Sequence, residues 1–174
     1  MRVARGRSNA SNPLAFNDTV KLRIVALGHR MPAWVATGFA DYAKRPPREY
    51  AVELVELKPA TRDPGKPAAR LLAAEALRIR AACAGYTVVA LDEHGAAWTT
   101  RQLAQHLQRW RDSARDVAFV IGSADGLDDA VKRDASAVFA LSALTLPHGL
   151  VRVILVEQLY RAVSVLVGHP YHRD

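Results

Sequence analysis

Short apolar segments that read as buried strands alternate with segments of helical periodicity along almost the whole chain, and that alternation leaves few folds open. KLRIVAL (21–27) runs apolar and stops at Gly28, the signature of a strand. Residues 33–45 place Trp34, Val35, Phe39 and Tyr42 near helical spacing before Pro46-Pro47 ends the helix. The reading continues with a strand at 50–57, a Pro/Gly-rich loop at 59–67, a helix at 68–83 and a strand at 87–92. Thr99 or Thr100 caps a helix running to about Ser113, with Leu103, Leu107 and Trp110 on one face. A buried strand at 116–122, a short helix at 128–134, a strand at 137–141, a turn-rich loop at 142–149 and a long helix from Leu150 to Val167 complete it. Such a sequence predicts an α/β fold: a mostly parallel sheet covered on both faces, with ligands beyond the carboxyl ends of its strands. Those ends carry Gly28, Leu91-Asp92, Gly122 and Leu141-Ser142.

The last helix adds a second constraint. Its apolar residues, from Leu150 to Val167, cover nearly the whole circumference, so the helix must be buried on most sides. A chain of 174 residues has trouble wrapping its own terminal helix, and packing that helix against a second copy solves the problem. Its polar positions, 157, 158, 161 and 164, form one stripe in which Glu157 and Arg161 are an i,i+4 pair.

Composition narrows the function. No apolar run reaches the ~18 residues that span a bilayer. A single cysteine, Cys83, excludes an internal disulfide framework and a four-cysteine zinc site, and the His spacings suggest no metal. The net charge of +7 is compatible with a nucleic-acid partner. Residues 1–20 hold three Arg against one Asp and no apolar periodicity, so they read as a flexible extension and 21–174 as one domain.

Ile121-Gly122-Ser123-Ala124-Asp125-Gly126 follows a strand in the manner of a phosphate loop, but it lacks both the three-glycine dinucleotide fingerprint and the P-loop lysine; alone it reads as a turn. Leu91-Asp92-Glu93-His94-Gly95 reads likewise. There is no G-x-S-x-G elbow for serine hydrolysis. The stretch Leu141 to Gly149 is apolar, yet Pro147 and Gly149 deny it a regular helix or strand. It either packs under the last helix or lines a pocket whose leucines hold a flat ring.

SALTLPHGLVRVILVEQLYRA (142–162), with the terminal PYHRD, resembles the ribosomal large-subunit methyltransferase H family of the SPOUT superfamily. The resemblance runs from Lys21 to Asp174: KLRIVALGHRMPAWVATGFADYAKR, VALDEHG, DVAFVIGSADGL and LSALTLPH follow in the family's order. It implies a SPOUT-type α/β fold with a C-terminal deep trefoil knot, a cytoplasmic homodimer joined through the last helix, and S-adenosylmethionine as methyl donor. By matching position the cofactor contacts are Leu91, Gly122, Leu141, Ser142, Ala143, Leu144, Thr145 and Leu146. The implied reaction methylates N3 of a pseudouridine in 23S rRNA within the 70S ribosome. His148, Glu157 and His172, or water, are candidates to take the imide proton. Arg152 and Arg161 bind phosphate or orient the base, Glu157 fixes Arg161, and Tyr171 and His172 close over the base.

Two departures stand out. The family reads I-G-G where this chain has Ile121-Gly122-Ser123, so Ser123 threatens to crowd the cofactor, and a catalytically impaired ribosome-binding protein is the alternative. A SPOUT enzyme acting on tRNA is a third reading. Residues 1–20 have no counterpart in most relatives, whose initiating Met aligns with Val20; the expectation is that Val20 is the natural start.

Overall fold

The computed structural model describes residues 19–62, 65 and 67–171. The fold is built on five strands, β1 (Leu22–Leu27), β2 (Val52–Leu57), β3 (Thr87–Ala97), β4 (Val117–Ile121) and β5 (Ala137–Ala140). They form one sheet in the order β2-β1-β4-β3-β5, and every pairing is parallel. The helices are α1 (Ala33–Ala43), α2 (Ala68–Ala82), α3 (Thr100–Asp112), α4 (Asp129–Asp134) and α5 (His148–Leu166). A parallel sheet needs both faces covered. α5 packs on α1 and α3 over one face, around Leu22, Ile24, Phe119, Leu155 and Leu159. α2 and α4 cover the other, around Val25, Leu27, Ile79, Val120 and Val131.

Local chemistry sets the boundaries. Thr99 and Gln102 form a capping box at the start of α3, the threonine hydroxyl accepting from Gln102 N at 3.2 Å and the Gln102 side chain accepting from Thr99 N at 2.8 Å. Asp128 caps α4 through Ala130 N at 2.7 Å.

Four details differ from the sequence reading. Residues 48–50 form a 3-10 turn, so β2 begins at Val52. Val20, placed with the extension, is 1% exposed in the core and its N–H donates to Glu49 O at 2.8 Å. β3 does not end at residue 92. Phe139 opposes both Leu91 and Ala96, so residues 92–95 step out of the ladder and the strand then resumes. Gly95 permits this, because a Cβ there would lie 2.7–2.8 Å from the backbone of Val138 and Phe139. Finally, α5 starts at His148, with Pro147 in the N-cap position, so Gly149 is helical after all. Helix first turns tolerate both residues, and a Cβ on Gly149 would touch Val35 Cγ2 and Met31 Sδ at 3.4–3.5 Å.

His106 on α3 stacks on Trp98, with ring centroids 4.0 Å apart, and leans on Trp110 at 5.3 Å. Burial, helped by the nearby Arg109 charge, lowers its pKa below the ordinary 6.5. The folded protein therefore binds this proton less readily than the unfolded chain. Stability from the stack is full above pH 6.5 and declines as pH falls from there through the folded value. The melting temperature is expected to drop on acidification below neutrality, and His106→Phe is expected to remove that part of the drop.

Candidate active site

A cavity of ~630 Å³ opens at the carboxyl ends of β3, β4 and β5. Three chain segments wall it: the excursion Leu91–His94, the loop Gly122–Leu127 after β4, and the loop Leu141–Pro147 between β5 and α5. Leu91, Gly122, Leu141, Ser142, Leu144, Thr145 and Leu146, all expected at the cofactor, line it together with His148. Ala143 lies exposed on the same loop, outside the lining.

Each wall is held in place. Thr145 Oγ1 donates to Glu93 Oε2 at 2.8 Å, joining the loop after β5 to the excursion from β3. Ser142 Oγ accepts from Leu144 N at 2.9 Å and folds the loop on itself. Asp92 accepts from His94 N at 2.9 Å and pairs with Lys132 at 3.2 Å. Burial opposes the Asp92 charge, but these two partners outweigh it and hold the carboxyl below its ordinary pKa. Gly122 must be glycine: a Cβ would stand 2.4 Å from Gly126 O and 2.6 Å from its carbonyl carbon.

Sequence reasoning missed Glu75. This α2 carboxylate is 1% exposed. Oε2 accepts from the Ser123 hydroxyl at 3.0 Å and Oε1 from Ala60 N at 2.9 Å, tying the cavity loop to the β2–α2 connection. Ser123 does not occupy the left-handed region, and its hydroxyl is engaged by α2. The signal was available: Glu75 sits on the same stripe as Ile79 and Cys83. Losing one hydrogen bond to a buried carboxylate costs about 1–3 kcal/mol. Ser123→Ala is therefore expected to lower the melting temperature and loosen the cavity loop. Ser123→Ala combined with Glu75→Gln should cost less than the sum of the two single changes, a non-additivity that a thermal-unfolding double-mutant cycle reads directly.

The polar residues of α5 separate into two groups. His148, at the cavity, has a buried Nδ1 with no hydrogen-bond partner among the described residues. Arg152, one turn on, is 1% exposed. Its Nη2 donates to Gly28 O at 2.9 Å and its Nη1 pairs with Glu56. Expected to bind phosphate or orient the base, it is buried under β1 and braces the end of that strand through Gly28 O and Glu56, while its Nε has no hydrogen-bond partner among the described residues. Glu157 and Arg161 form the second group. Glu157 Oε1 accepts from Arg161 Nη2 at 2.6 Å and from the Tyr171 hydroxyl at 3.0 Å. Burial, then hydrogen bonds to Tyr42 and Glu157, raise the Tyr171 phenol above its ordinary pKa, so it stays protonated at neutral pH. Nine residues of helix separate His148 from Glu157, about 13.5 Å of rise. The single chain does not bring these groups together. His172 lies outside the described residues. Burial pushes the Cys83 thiol up to about 11, which disarms it as a nucleophile.

A family model described as a predicted SPOUT methyltransferase matches residues 20–172. The chain belongs to the SPOUT methyltransferase family. It is 55% identical over 155 residues to a ribosomal RNA large subunit methyltransferase H from Nitrosospira multiformis, covering 88% of this chain and 99% of the relative. It is 57% identical over 155 residues, with the same coverage, to the enzyme of that name from Burkholderia thailandensis. Among solved structures, a probable methyltransferase from Bordetella pertussis shares the fold at TM-score 0.54 and 19% identity, covering 84% of this chain and 96% of that one. A probable methylase family protein from Haemophilus influenzae does so at TM-score 0.57 and 12% identity, covering 88% of this chain and 70% of that one. In this SPOUT methyltransferase the cavity sits where a parallel sheet places its ligands. No helix among the described residues is long and apolar enough to cross a membrane.

Proposed function

We propose that this protein transfers a methyl group from S-adenosylmethionine to N3 of a pseudouridine in 23S rRNA, on the assembled 70S ribosome, and that it works as a cytoplasmic homodimer. The observation that carries the reading is the cavity walled by the Leu141–Leu146 loop, in a chain more than half identical along its length to large-subunit rRNA methyltransferases.

The residues present suit S-adenosylmethionine. The volume falls within the range of small-ligand sites. Leu91, Leu141 and Leu146 supply apolar walls for an adenine ring, and the Glu93 carboxylate, held by Thr145, suits a ligand with sulfonium and ammonium charges. Gly122 lets the loop after β4 fold closely on itself at the cavity's edge. The bound cofactor would supply an electrophilic methyl group.

The chain's own part is to orient the base, keep water out and receive a proton. Displacement at a sulfonium disperses charge, so alignment contributes more than charge stabilisation. The N3 imide proton must leave as the N–C bond forms. The buried, unpartnered His148 Nδ1 at the cavity is a candidate acceptor, directly or through water. Glu157 holds Arg161 and Tyr171 in one cluster ready to meet a base or phosphate. Because that cluster lies some three turns from the same chain's cavity, a second copy packed along α5 would deliver it to its partner's site, together with His172. The half-buried Val153, Ile154 and Leu166 and the exposed Val167 offer the apolar surface for such packing.

The experiment presents purified protein and labelled cofactor with total tRNA and with 70S ribosomes and 50S subunits that carry the pseudouridine but lack its N3 methyl group. Label in 23S rRNA from 70S particles is expected. Label in tRNA would reassign the substrate, and cofactor binding without label in any acceptor would contradict catalysis.

A further inference from the structure

The carboxyl ends of β1 and β2 lie beside the methyl-transfer cavity but form no part of it. They are adjacent by register: Leu27 pairs with Leu57, and Gly28 N donates to Leu57 O at 2.9 Å. Neighbouring strands run about 4.8 Å apart, so the residues leaving them share one edge. That edge carries His29, Arg30 and Lys58, all exposed. Neither Arg30 nor Lys58 has a side-chain ion pair with a described residue. The described carboxylates nearby are committed elsewhere: Glu56 to Arg152, Asp125 to Arg62, and Glu75 to Ser123 and Ala60. Among the described residues, the edge is therefore left with positive charge that no ion pair compensates.

Three further observations give this charge a direction. Arg30 holds a left-handed backbone at φ 60, a conformation a long side chain rarely adopts. The loop that carries it is anchored from below, where the buried Arg152 donates to Gly28 O. Trp34, in the first turn of α1, is 58% exposed and is the aromatic member of the exposed large hydrophobics. Contact with the cavity is close, since a Cβ on Gly28 would lie 2.9 Å from His148 Cε1 and His148 lines that cavity. Arg30 is two residues further on, at most about 7.6 Å of chain.

We propose that Arg30, Lys58 and Trp34 form a docking edge for the unpaired rRNA next to the methylated nucleotide, the cations meeting its phosphates and the indole stacking on a neighbouring base. Fixed cations beside an exposed aromatic ring are what unpaired RNA recognition requires, because every base offers a π-face and every linkage a charge. Arg152 serves this edge as a positioning residue, holding the loop without touching RNA. The proposal rests on the rRNA methyltransferase reading above.

The test uses the full chain and 70S ribosomes that carry the pseudouridine but lack its N3 methyl group, with binding measured across a KCl series and cofactor binding measured separately by calorimetry. Arg30→Gly removes the cation while suiting the left-handed backbone, so it should not unfold the protein. It and Lys58→Gln are each expected to reduce the slope of log K against log salt by about 0.7–1. Trp34→Ala is expected to weaken binding roughly five- to a hundredfold with the slope unchanged. Cofactor affinity should not move in any of the three. Unchanged slopes in both cation variants, with wild-type methyl transfer intact, would overturn the docking edge and leave the proposed function standing. Loss of dimer in Trp34→Ala with unchanged ribosome affinity would assign that ring to the protein interface instead and overturn its role here. Wild-type protein that neither binds ribosomes nor methylates them would remove both readings together.

Discussion

Gly122→Ala is expected to abolish S-adenosylmethionine binding, with an affinity loss of roughly a hundredfold or more. The added methyl would stand 2.4 Å from Gly126 O and 3.1 Å from Leu127 Cγ. The first obstacle is backbone, so no rotamer change can relieve it, and the whole loop from Gly122 to Leu127 must shift. That loop is one wall of the cavity. Overpacking of this kind also costs about 1–3 kcal/mol of stability. Gly126→Ala is the control. Gly126 has φ +84 but open space around its Cβ position, so alanine there brings local strain of about 1–2 kcal/mol without a collision. Calorimetric titration should find binding lost in the first variant and weakened less in the second. Equal, unimpaired binding in both would mean that the loop does not shape the cofactor site.

Arg152→Ala is expected to destabilise the fold by about 2–4 kcal/mol. The guanidinium is fully buried, donates a charge-assisted hydrogen bond to Gly28 O at 2.9 Å and pairs with Glu56. Its removal leaves a buried carbonyl unpaired and a void the size of a long side chain. Glu56 remains partly solvated, which keeps the cost below that of a fully buried broken pair. For a chain of this size the melting temperature should fall by roughly 5–15 °C. Arg152→Lys should recover only part of it, because an ammonium cannot reach carbonyl and carboxylate with the guanidinium's fork. If alanine unfolded at the wild-type temperature, the bracing role would be wrong.

Arg152 also shows where sequence reading reaches its limit. The alternation of strands and helices was legible because burial on both faces of a parallel sheet leaves near-continuous apolar runs such as VAFVI in β4. The apolar loop from Leu141 to Leu146 left two readings open, packing under the last helix or lining a pocket, and the resemblance to a methyltransferase family favoured the pocket and gave it a ligand. Charged residues were harder. An arginine on a basic chain suggests RNA, and only the packing of α5 under β1 turns Arg152 inward. The stripe shared with Ile79 and Cys83 puts Glu75 on a buried face, but what it holds shows only where Ser123 and Ala60 converge on it. The excursion at residues 92–95 depends on the approach of Gly95 to the backbone of β5, more than forty residues away, and local periodicity carries no trace of such a contact. The early start of α5 was hidden for the opposite reason: Pro147 and Gly149 look like breakers, and it is their place at the helix start that makes them harmless.

N3 methylation is measured most directly by mass spectrometric mapping of 23S rRNA, after 70S ribosomes that carry the pseudouridine but lack its methyl group are incubated with the protein and S-adenosylmethionine carrying an isotopically labelled methyl group. One labelled methyl on N3 of a single pseudouridine, absent when that position is uridine, is the predicted result. A methyl on any other atom or RNA, or none with an intact cofactor complex, would contradict the account.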